Sequence, residues 1–200
     1  MRRRSRLERG RADPSRSRAG AVAPGRGAAE DDVDPEAWAG ELRIAREIQL
    51  GILPSDIAST TAGTGVEIEA FLEPAREVGG DLYEVLRTDD GRLVVFIGDV
   101  SGKGIPASLV MAVTTTLVRT LGLRYREPDE IVFHVSNALA RQNPREMFVT
   151  LFCAVLDPAS GLVTYASAGH PSPVLVRPGS PPDFPAQPTG GLAGMDPGLK

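Results

Sequence analysis

The sequence predicts an α+β fold in which helices pack on a mainly antiparallel sheet. The predicted elements follow one another as helix, strand, a hairpin of two strands, two helices and three further strands. This order differs from the alternating β-α-β pattern that builds parallel sheets. With 42% hydrophobic and 24% charged residues, the 200-residue chain has the composition of one globular domain with a tail.

The first 34 residues have a composition that predicts disorder. Residues 1–26 carry nine Arg against two acidic residues and show no apolar period. We interpret this segment as a solvated tail, although the Arg run could also contact an anionic surface. No apolar run follows the basic residues, as a secretory signal requires, and no apolar stretch is long enough for a bilayer span. We therefore expect a cytoplasmic protein without a membrane segment.

The rest of the chain is acidic, which bears on the class of partner. After residue 26 there are 13 basic and 24 acidic residues. An excess of carboxylates disfavours nucleic acid as a partner and suits cation binding if the carboxylates converge. The single cysteine, Cys153, excludes an internal disulfide framework and fits a reducing compartment.

A helix is predicted over residues 36–53, with Asp34 as its cap and Pro35 at the first helical position. One apolar seam runs along it at helical spacing: Trp38, Leu42, Ala45, Ile48 and Ile52. Ile44 and Leu50 lie off that seam. Two interpretations stay open for them, namely packing within the domain and pairing with a second copy of the chain. Residues 35–54 are accordingly assigned as a linker or dimerisation helix.

The remaining elements follow from turn signals and apolar patterning. A Ser/Thr/Gly loop is predicted over residues 55–65, and the turn Asp89-Asp90-Gly91 is a strong hairpin signal. The continuous apolar run 147–156 fits a strand buried on both faces. The predicted strands are 66–72, 82–87, 92–98, 147–156, 162–167 and 173–177, and the two later helices are 105–122 and 128–142.

Two aspartates stand at mirrored positions of the predicted hairpin. Asp81 lies nine residues before Asp90 in the turn, and Asp99 lies nine residues after it. Because residues at equal distances from a hairpin turn are cross-strand neighbours, we expect the two carboxylates to lie side by side. Oxygen ligands with little nitrogen or sulfur nearby favour Mg²⁺ or Mn²⁺. The alternative is that both are ordinary turn residues, a frequent role for Asp beside Gly.

The segment 98–104, GDVSGKG, nearly matches a phosphate-binding loop, so an NTP-binding protein is a further alternative. The motif G-x-x-x-x-G-K-[ST] needs one more residue before Gly102 and a Ser or Thr where Gly104 stands. The backbone N–H groups at the start of the following helix could still attract an anion. We interpret the segment as a near miss.

Other chemistry-bearing side chains give weaker signals. His170 lies in a tight loop between strands and is better placed for a site than His134, which lies in the middle of a helix. Cys153 is flanked by apolar residues in a predicted strand, which indicates a core role. The sequence has no HExxH, no second cysteine and no GxSxG, so zinc catalysis and a serine hydrolase triad have no support.

Taken together, five segments resemble one family. They are ELRIAREIQLGILP, PAREVGGDLYEV, FIGDVSGKGIPASLVMA, MFVTLFCAVLDPASGLVTYASAGHPSP and GGLAGMDP. In this order they resemble the SpoIIE/RsbU-like serine phosphatases, a bacterial branch of the metal-dependent PP2C (PPM) phosphatases. The resemblance spans residues 41–197 and implies a PP2C-like α-β-β-α sandwich, with two antiparallel sheets flanked by helices and metals at one edge.

The resemblance also implies a site and a substrate class. Asp81 and Asp99 would be catalytic metal ligands, and Val100 would contribute its backbone carbonyl. Two Mn²⁺ or Mg²⁺ ions would activate a water for in-line attack on phosphoserine or phosphothreonine. The implied substrate is a phosphorylated anti-sigma-factor antagonist of the STAS type, within a sigma-factor partner-switching pathway. The first helix resembles the family's linker, which implies a homodimer through residues 36–53.

The sequence departs from the family pattern at several positions. Glu84 stands where the family has Asp, and Ser167 stands where it has Asn. The family's further metal-binding aspartates would follow residue 197, and the sequence ends at Lys200. We therefore expect residues 64–200 to be a partial phosphatase domain, incomplete at the C-terminus, with weak metal binding and little activity. The alternative function is a catalytically impaired protein-binding regulatory module.

Overall fold

The computed structural model of the chain describes residues 34–141, 147–185 and 190–198. The disorder predicted for residues 1–34 falls on residues 1–33, outside the described part, as does the predicted helix end at residue 142. The elements are α1 (Pro35–Ile52), α2 (Ile57–Thr61), β1 (Leu82–Arg87), β2 (Leu93–Val100), α3 (Ile105–Gly122), α4 (Pro128–Ala140), β3 (Val149–Asp157) and β4 (Leu162–Ala168).

The four strands form one antiparallel sheet in the order β1-β2-β3-β4. The β1–β2 hairpin pairs Leu82 with Gly98 and Arg87 with Leu93, so the predicted turn sets the predicted register. Gly91 in that turn has φ 85°, which favours glycine. The α+β class with an antiparallel sheet is confirmed.

Helices α3 and α4 cover one face of the sheet, called here the inner face. Side chains along this face alternate with those of the outer face, as the two-residue period of a strand requires. The largest fully buried side chains on the inner face and the two helices include Leu82, Phe96, Leu151, Met111, Ile131 and Val135. Cys153 lies among them, as predicted, and burial raises the pKa of its thiol.

Helix α3 is long and apolar enough to cross a membrane by length and composition alone. Its residues Ala107, Met111 and Val118 are fully buried against the sheet and α4. The position of α3 against the sheet therefore explains part of its apolar composition, although Leu109 and Val113 are exposed. No other helix among the described residues passes the same test.

Three local predictions were wrong. Residues 66–72 form no strand, and 173–177 contribute only an isolated bridge between Leu175 and Asp183. A strand needs a hydrogen-bonding neighbour, and the described residues supply none for 66–72. The predicted loop 55–65 contains the short helix α2, which is capped by Asp56 through the Ser59 N–H.

Within the described ranges the strands form a single sheet, without the second sheet that the resemblance implies.

Strand β3 is buried on one face only, whereas the sequence predicted two buried faces. Val149, Leu151, Cys153 and Val155 are buried, and the alternate residues are only partly covered. The helices cover the inner face of β3 and leave its outer face only partly covered. A continuous apolar run in the sequence therefore did not indicate burial on both faces. An apolar groove of about 660 Å³ lies over the outer face, between residues 68–73 and 170–173.

The apolar seam predicted for α1 was only partly correct. Leu42, Ala45 and Ile52 are half-buried, but Trp38 is 48% exposed and Ile48 is 62% exposed. The buried residue of α1 is instead Gln49, which is 6% exposed. Gln49 lies four residues after Ala45 and three before Ile52, so it also falls on the seam.

Candidate metal centre

Asp81 and Asp99 are neighbours at the open end of the β1–β2 hairpin. The pairing of Leu82 with Gly98 continues outward, because the Val100 N–H donates to the Gly80 carbonyl at 3.3 Å. This register places Asp81 opposite Asp99 on the outer face. The two carboxyl groups are within hydrogen-bonding reach of each other. The juxtaposition predicted by counting residues from the turn is present.

The electrostatic environment of Asp99 favours a positive partner. Partial burial, the negative charge of Asp81 and the hydrogen bond with Asp81 all raise the pKa of Asp99, while His170 acts in the opposite direction. Two adjacent carboxylates repel each other when both are ionised. A cation between them would remove this repulsion and stabilise the ionised pair.

His170 and Thr150 complete the polar cluster. Thr150 pairs with Asp99 across β2 and β3, and its hydroxyl is hydrogen-bonded to His170 Nδ1 at 2.9 Å. Burial lowers the pKa of His170, whereas the charges of Asp99 and Asp81 raise it. The structure thus brings His170 to the candidate site, as its loop position suggested. His134 instead stacks on Tyr125 with ring centroids 4.0 Å apart.

Gly80 and Val100 bring backbone groups to the same place. A Cβ on Gly80 would lie 2.7 Å from the Val100 carbonyl oxygen and 3.2 Å from its nitrogen. Glycine is therefore required where β1 begins, because any side chain would push the two segments apart. The Val100 carbonyl oxygen consequently lies beside the residue that precedes Asp81. The structure places all three residues singled out by the sequence at one end of the hairpin.

Glu84 lies on the other face of β1 and does not join this cluster. It is buried on the inner face, where its carboxylate accepts a hydrogen bond from Arg119 Nε of α3. Burial raises the pKa of Glu84, and the Arg119 guanidinium lowers it. The departure from the family pattern at this position therefore affects the core and not the pair of aspartates.

The segment 98–104 does not form a phosphate loop of the expected kind. Gly98 lies within β2, and a Cβ there would stand 2.8 Å from the Thr150 carbonyl oxygen. This glycine thus allows close strand packing and does not belong to the loop. The loop itself is held by Ser101, whose N–H donates to the Phe148 carbonyl and whose hydroxyl accepts from the Phe148 N–H.

Sequence reasoning missed two residues around the cluster. Thr150 is polar within the apolar run 147–156, and counting β3 against β2 would have placed it beside Asp99. Gln49 is polar on an apolar seam, and its side chain binds the backbone of Gly79. In each case a polar residue at an otherwise apolar position was the available signal. No group of three or more His, Cys, Asp or Glu close enough to hold a metal occurs among the described residues.

Two curated proteins of Bacillus subtilis (strain 168) are similar to this chain. Phosphoserine phosphatase RsbU is 30% identical over 130 residues, covering 65% of this chain and 38% of RsbU. Phosphoserine phosphatase RsbP is 28% identical over 135 residues, covering 66% of this chain and 32% of RsbP. The chain therefore spans less than half the length of either relative.

Solved structures share the fold. The SiaA-PP2C domain of Pseudomonas aeruginosa matches with a TM-score of 0.67 at 18% identity, over 81% of this chain and 65% of that one. RsbX in complex with magnesium matches with a TM-score of 0.51 at 20% identity, over 65% and 62%. At these identities the likeness shows the PP2C fold alone.

A third structure is closer in sequence. It contains the RsbU and RsbW domains of a Mycobacterium tuberculosis protein and matches at 32% identity with a TM-score of 0.54, over 64% of this chain and 35% of that one. The family described as Stage II sporulation protein E (SpoIIE) matches residues 89–200. That range includes Asp99, the loop after it and every element from β2 onward. The chain belongs to the SpoIIE family.

Proposed function

We propose that this chain carries the catalytic domain of a metal-dependent protein-serine/threonine phosphatase. The observation that carries the proposal is the register of the β1–β2 hairpin, which places Asp81 beside Asp99 with the Val100 backbone next to Gly80. In this proposal residues 64–200 are the phosphatase domain, residues 35–54 are a linker helix and residues 1–34 are a tail. The names of RsbU and RsbP as phosphoserine phosphatases support the same reaction.

The residues present fit a divalent cation. Asp81 and Asp99 offer carboxylate oxygens, Val100 offers a carbonyl oxygen, and these are the ligand types that Mg²⁺ and Mn²⁺ prefer. Burial and the neighbouring Asp81 charge raise the pKa of Asp99, so a cation beside the pair would stabilise the ionised carboxylate. Divalent ions held there would supply electrophilic activation of a phosphoryl group and of water. The magnesium complex of RsbX supports a divalent ion, and two Mn²⁺ or Mg²⁺ ions are proposed.

The chain's own residues then have defined tasks. Asp81 and Asp99 would hold the cations through their carboxylate oxygens, and the close approach of Gly80 to Val100 fixes the pairing that brings the two aspartates together. Thr150 holds the His170 ring beside them through the hydrogen bond to Nδ1. This arrangement binds the phosphoryl group without a nucleophilic side chain, which agrees with the burial of Cys153.

The proposed substrate is a phosphorylated anti-sigma-factor antagonist of the STAS type. Hydrolysis of its phosphoserine or phosphothreonine would act in a sigma-factor partner-switching pathway in the bacterial cytoplasm. The occurrence of an RsbU and an RsbW domain in one Mycobacterium tuberculosis protein supports a pathway of this kind.

The proposal also includes a homodimer through residues 36–53. An apolar groove of about 350 Å³ lies between α1 and α3, lined by Trp38, Ile48 and Leu109 among others. Ile48 and Leu109 are 62% and 63% exposed. Covering these side chains with a second copy of α1 would remove apolar surface from water. Sedimentation velocity should show a dimer that Ile48→Glu converts to a monomer and that Glu47→Gln leaves intact; a monomeric wild type contradicts this part of the proposal.

The test of the catalytic proposal is a calorimetric titration with Mn²⁺, with release of phosphate from a phosphorylated STAS protein measured in parallel. We expect the chain to bind Mn²⁺ weakly and to release phosphate slowly, and only when Mn²⁺ is present. Asp99→Asn should abolish both. Asp89→Asn, which removes an exposed carboxylate at the far end of the same hairpin, should change neither. A wild-type chain that does not bind Mn²⁺ would falsify the proposed metal site.

A second candidate function is a regulatory module that binds the same partner without hydrolysing it. It is favoured because no group of three or more His, Cys, Asp or Glu among the described residues is arranged to hold a metal ion. The two functions differ in one measurement. A regulatory module would bind the phosphorylated partner equally well in the wild type and in Asp99→Asn and would release no phosphate from it.

A further inference from the structure

The one buried residue of α1 holds the loop that leads to Asp81. Gln49 is 6% exposed, and its side-chain amide binds both backbone groups of Gly79. Its Nε2 donates to the Gly79 carbonyl at 2.6 Å, and its Oε1 accepts from the Gly79 N–H at 3.0 Å. A side chain that satisfies both groups of one residue determines the position and the orientation of that peptide.

Gly79 is connected directly to the aspartate pair. It precedes Gly80, whose carbonyl accepts from the Val100 N–H and whose Cα lies against the Val100 backbone. Residues 79–81 are therefore held between Gln49 on one side and the end of β2 on the other. If the contact with Gln49 is lost, the segment before β1 is held by the 3.3 Å bond from the Val100 N–H to Gly80 and by the pairing of Leu82 with Gly98.

Further polar contacts attach α1 to this part of the domain. Arg46 Nη1 donates to the Arg76 carbonyl at 3.3 Å, three residues before Gly79. Arg119 Nη2 donates to the Ile52 carbonyl at the end of the helix. Because Trp38 is 48% exposed and Ile48 is 62% exposed, we expect these hydrogen bonds to contribute to the position of α1.

We propose that Gln49 is a positioning residue for the Asp81 carboxylate, acting through the Gly79 peptide, so that the geometry of the metal centre depends on α1. This inference rests on the proposed metal site. Gln49 lies too far along the chain from Asp81 for local sequence to imply the link, and its contact is with backbone and not with the carboxylate. Partners behind the ligands of a metal commonly change its affinity by about 10–100-fold when they are removed.

The test compares variants that separate volume from hydrogen bonding. Gln49→Met keeps the approximate volume of the side chain and removes both hydrogen bonds. Gln49→Glu keeps an acceptor for the Gly79 N–H and removes the donor to its carbonyl. Glu47→Gln, at an exposed position of the same helix, is the matched control. Mn²⁺ affinity is measured by calorimetry, and global stability is measured by urea denaturation.

A second readout does not depend on metal. Amide hydrogen exchange is followed at Val100, whose N–H bonds to Gly80, and at Thr88, whose N–H bonds to the Arg92 carbonyl at the other end of the hairpin. We expect Gln49→Met to exchange about ten times faster at Val100 and to be unchanged at Thr88. Gln49→Glu should be intermediate. A variant that merely unfolds more often would accelerate exchange at both amides.

The outcomes separate this inference from the proposed function. Mn²⁺ binding by the wild type, weakened about tenfold in Gln49→Met and unchanged in Glu47→Gln, supports both. Equal Mn²⁺ affinity in the wild type and Gln49→Met, or equal exchange at Val100, overturns the positioning role while the metal site stands. A wild type that binds no Mn²⁺ overturns the proposed function, and the exchange at Val100 then decides by itself whether Gln49 positions the loop.

Discussion

Gly80 lies so close to β2 that a Cβ on it would stand 2.7 Å from the carbonyl oxygen of Val100. This contact joins the start of β1 to the end of β2, where Asp81 and Asp99 face each other. The separation of the two carboxylates therefore depends on a position that can hold only glycine. The contact links the stability of the hairpin end to the geometry of the candidate metal centre.

Gly80→Ala should destabilise the protein and weaken its Mn²⁺ binding. The added methyl group meets backbone atoms, which cannot rotate away, so we expect a loss of about 2 kcal/mol in the free energy of unfolding. Urea denaturation and calorimetry with Mn²⁺ measure the two effects. Gly51→Ala is the control, because a Cβ there meets nothing within 4 Å; within α1 it should stabilise by about 0.5 kcal/mol. Unchanged stability in Gly80→Ala would contradict the close approach.

Arg119→Met should leave Glu84 as a buried carboxylate without its cation. We expect a loss of about 3 kcal/mol in the free energy of unfolding near neutral pH, although part of this arises from the lost bond to the Ile52 carbonyl. Burial raises the pKa of Glu84 above its usual 4.5. Protonation of Glu84 removes the buried charge that Arg119→Met leaves without a partner. The variant's loss in free energy of unfolding should therefore become smaller as the pH falls toward 4.5. Adding Glu84→Gln should recover part of the stability at neutral pH; a pH-independent deficit would contradict this account.

Asp90 in the hairpin turn should make stability depend on pH in the acid range. A hydrogen bond from Thr88 and the Arg92 side chain lower its pKa to about 2. Ionised Asp90 therefore stabilises the folded state. This stabilisation is fully present above pH 3.8 and is lost as the pH falls toward about 2. Asp90→Asn should remove this part of the pH dependence, measured by thermal unfolding at low salt. Asp89→Asn should retain it, and added salt should weaken it because the group is exposed.

Asp81→Asn should stabilise the protein without metal and remove its response to metal. Burial and then the charge of Asp81 raise the pKa of Asp99, so ionisation of Asp99 costs stability as the pH rises above 3.8. Removing the neighbouring charge should increase the free energy of unfolding by about 0.5 kcal/mol at neutral pH, since the pair is largely exposed. Thermal unfolding with and without Mn²⁺ measures both effects. Wild type and variant with equal responses to Mn²⁺ would contradict the role proposed for Asp81.

Several parts of the fold were predictable because they depend on neighbours in the sequence. The turn at Asp89-Asp90-Gly91 sets the register of β1 and β2, and that register brings Asp81 and Asp99 together. The bounds of α3 were predicted correctly as 105–122, since Gly104 and Pro106 mark its start. Such signals act over a few residues, so no tertiary information is needed to interpret them.

Other parts depended on which surfaces meet. Residues 66–72 alternate as a strand should, yet they have no ladder partner among the described residues. In α1 the helical spacing allows either Ile48 or Gln49 to face the domain. In the structure Gln49 faces the domain, because its amide forms hydrogen bonds with the Gly79 peptide. Hydrophobicity alone favours Ile48, which is 62% exposed. The hydrophobic pattern of a segment cannot predict a hydrogen bond to a backbone group 30 residues away.

The residues in order along the chain therefore establish the α+β class, the hairpin with its aspartate pair and membership of a family whose motifs they carry. Packing establishes that Glu84 belongs to the core with Arg119, that Thr150 and His170 join the aspartates, and that Gln49 ties α1 to the loop before Asp81. The division follows from distance. Turns and strand periods act between near neighbours, whereas these contacts join residues from 20 to more than 50 positions apart, and only the folded chain brings such residues together.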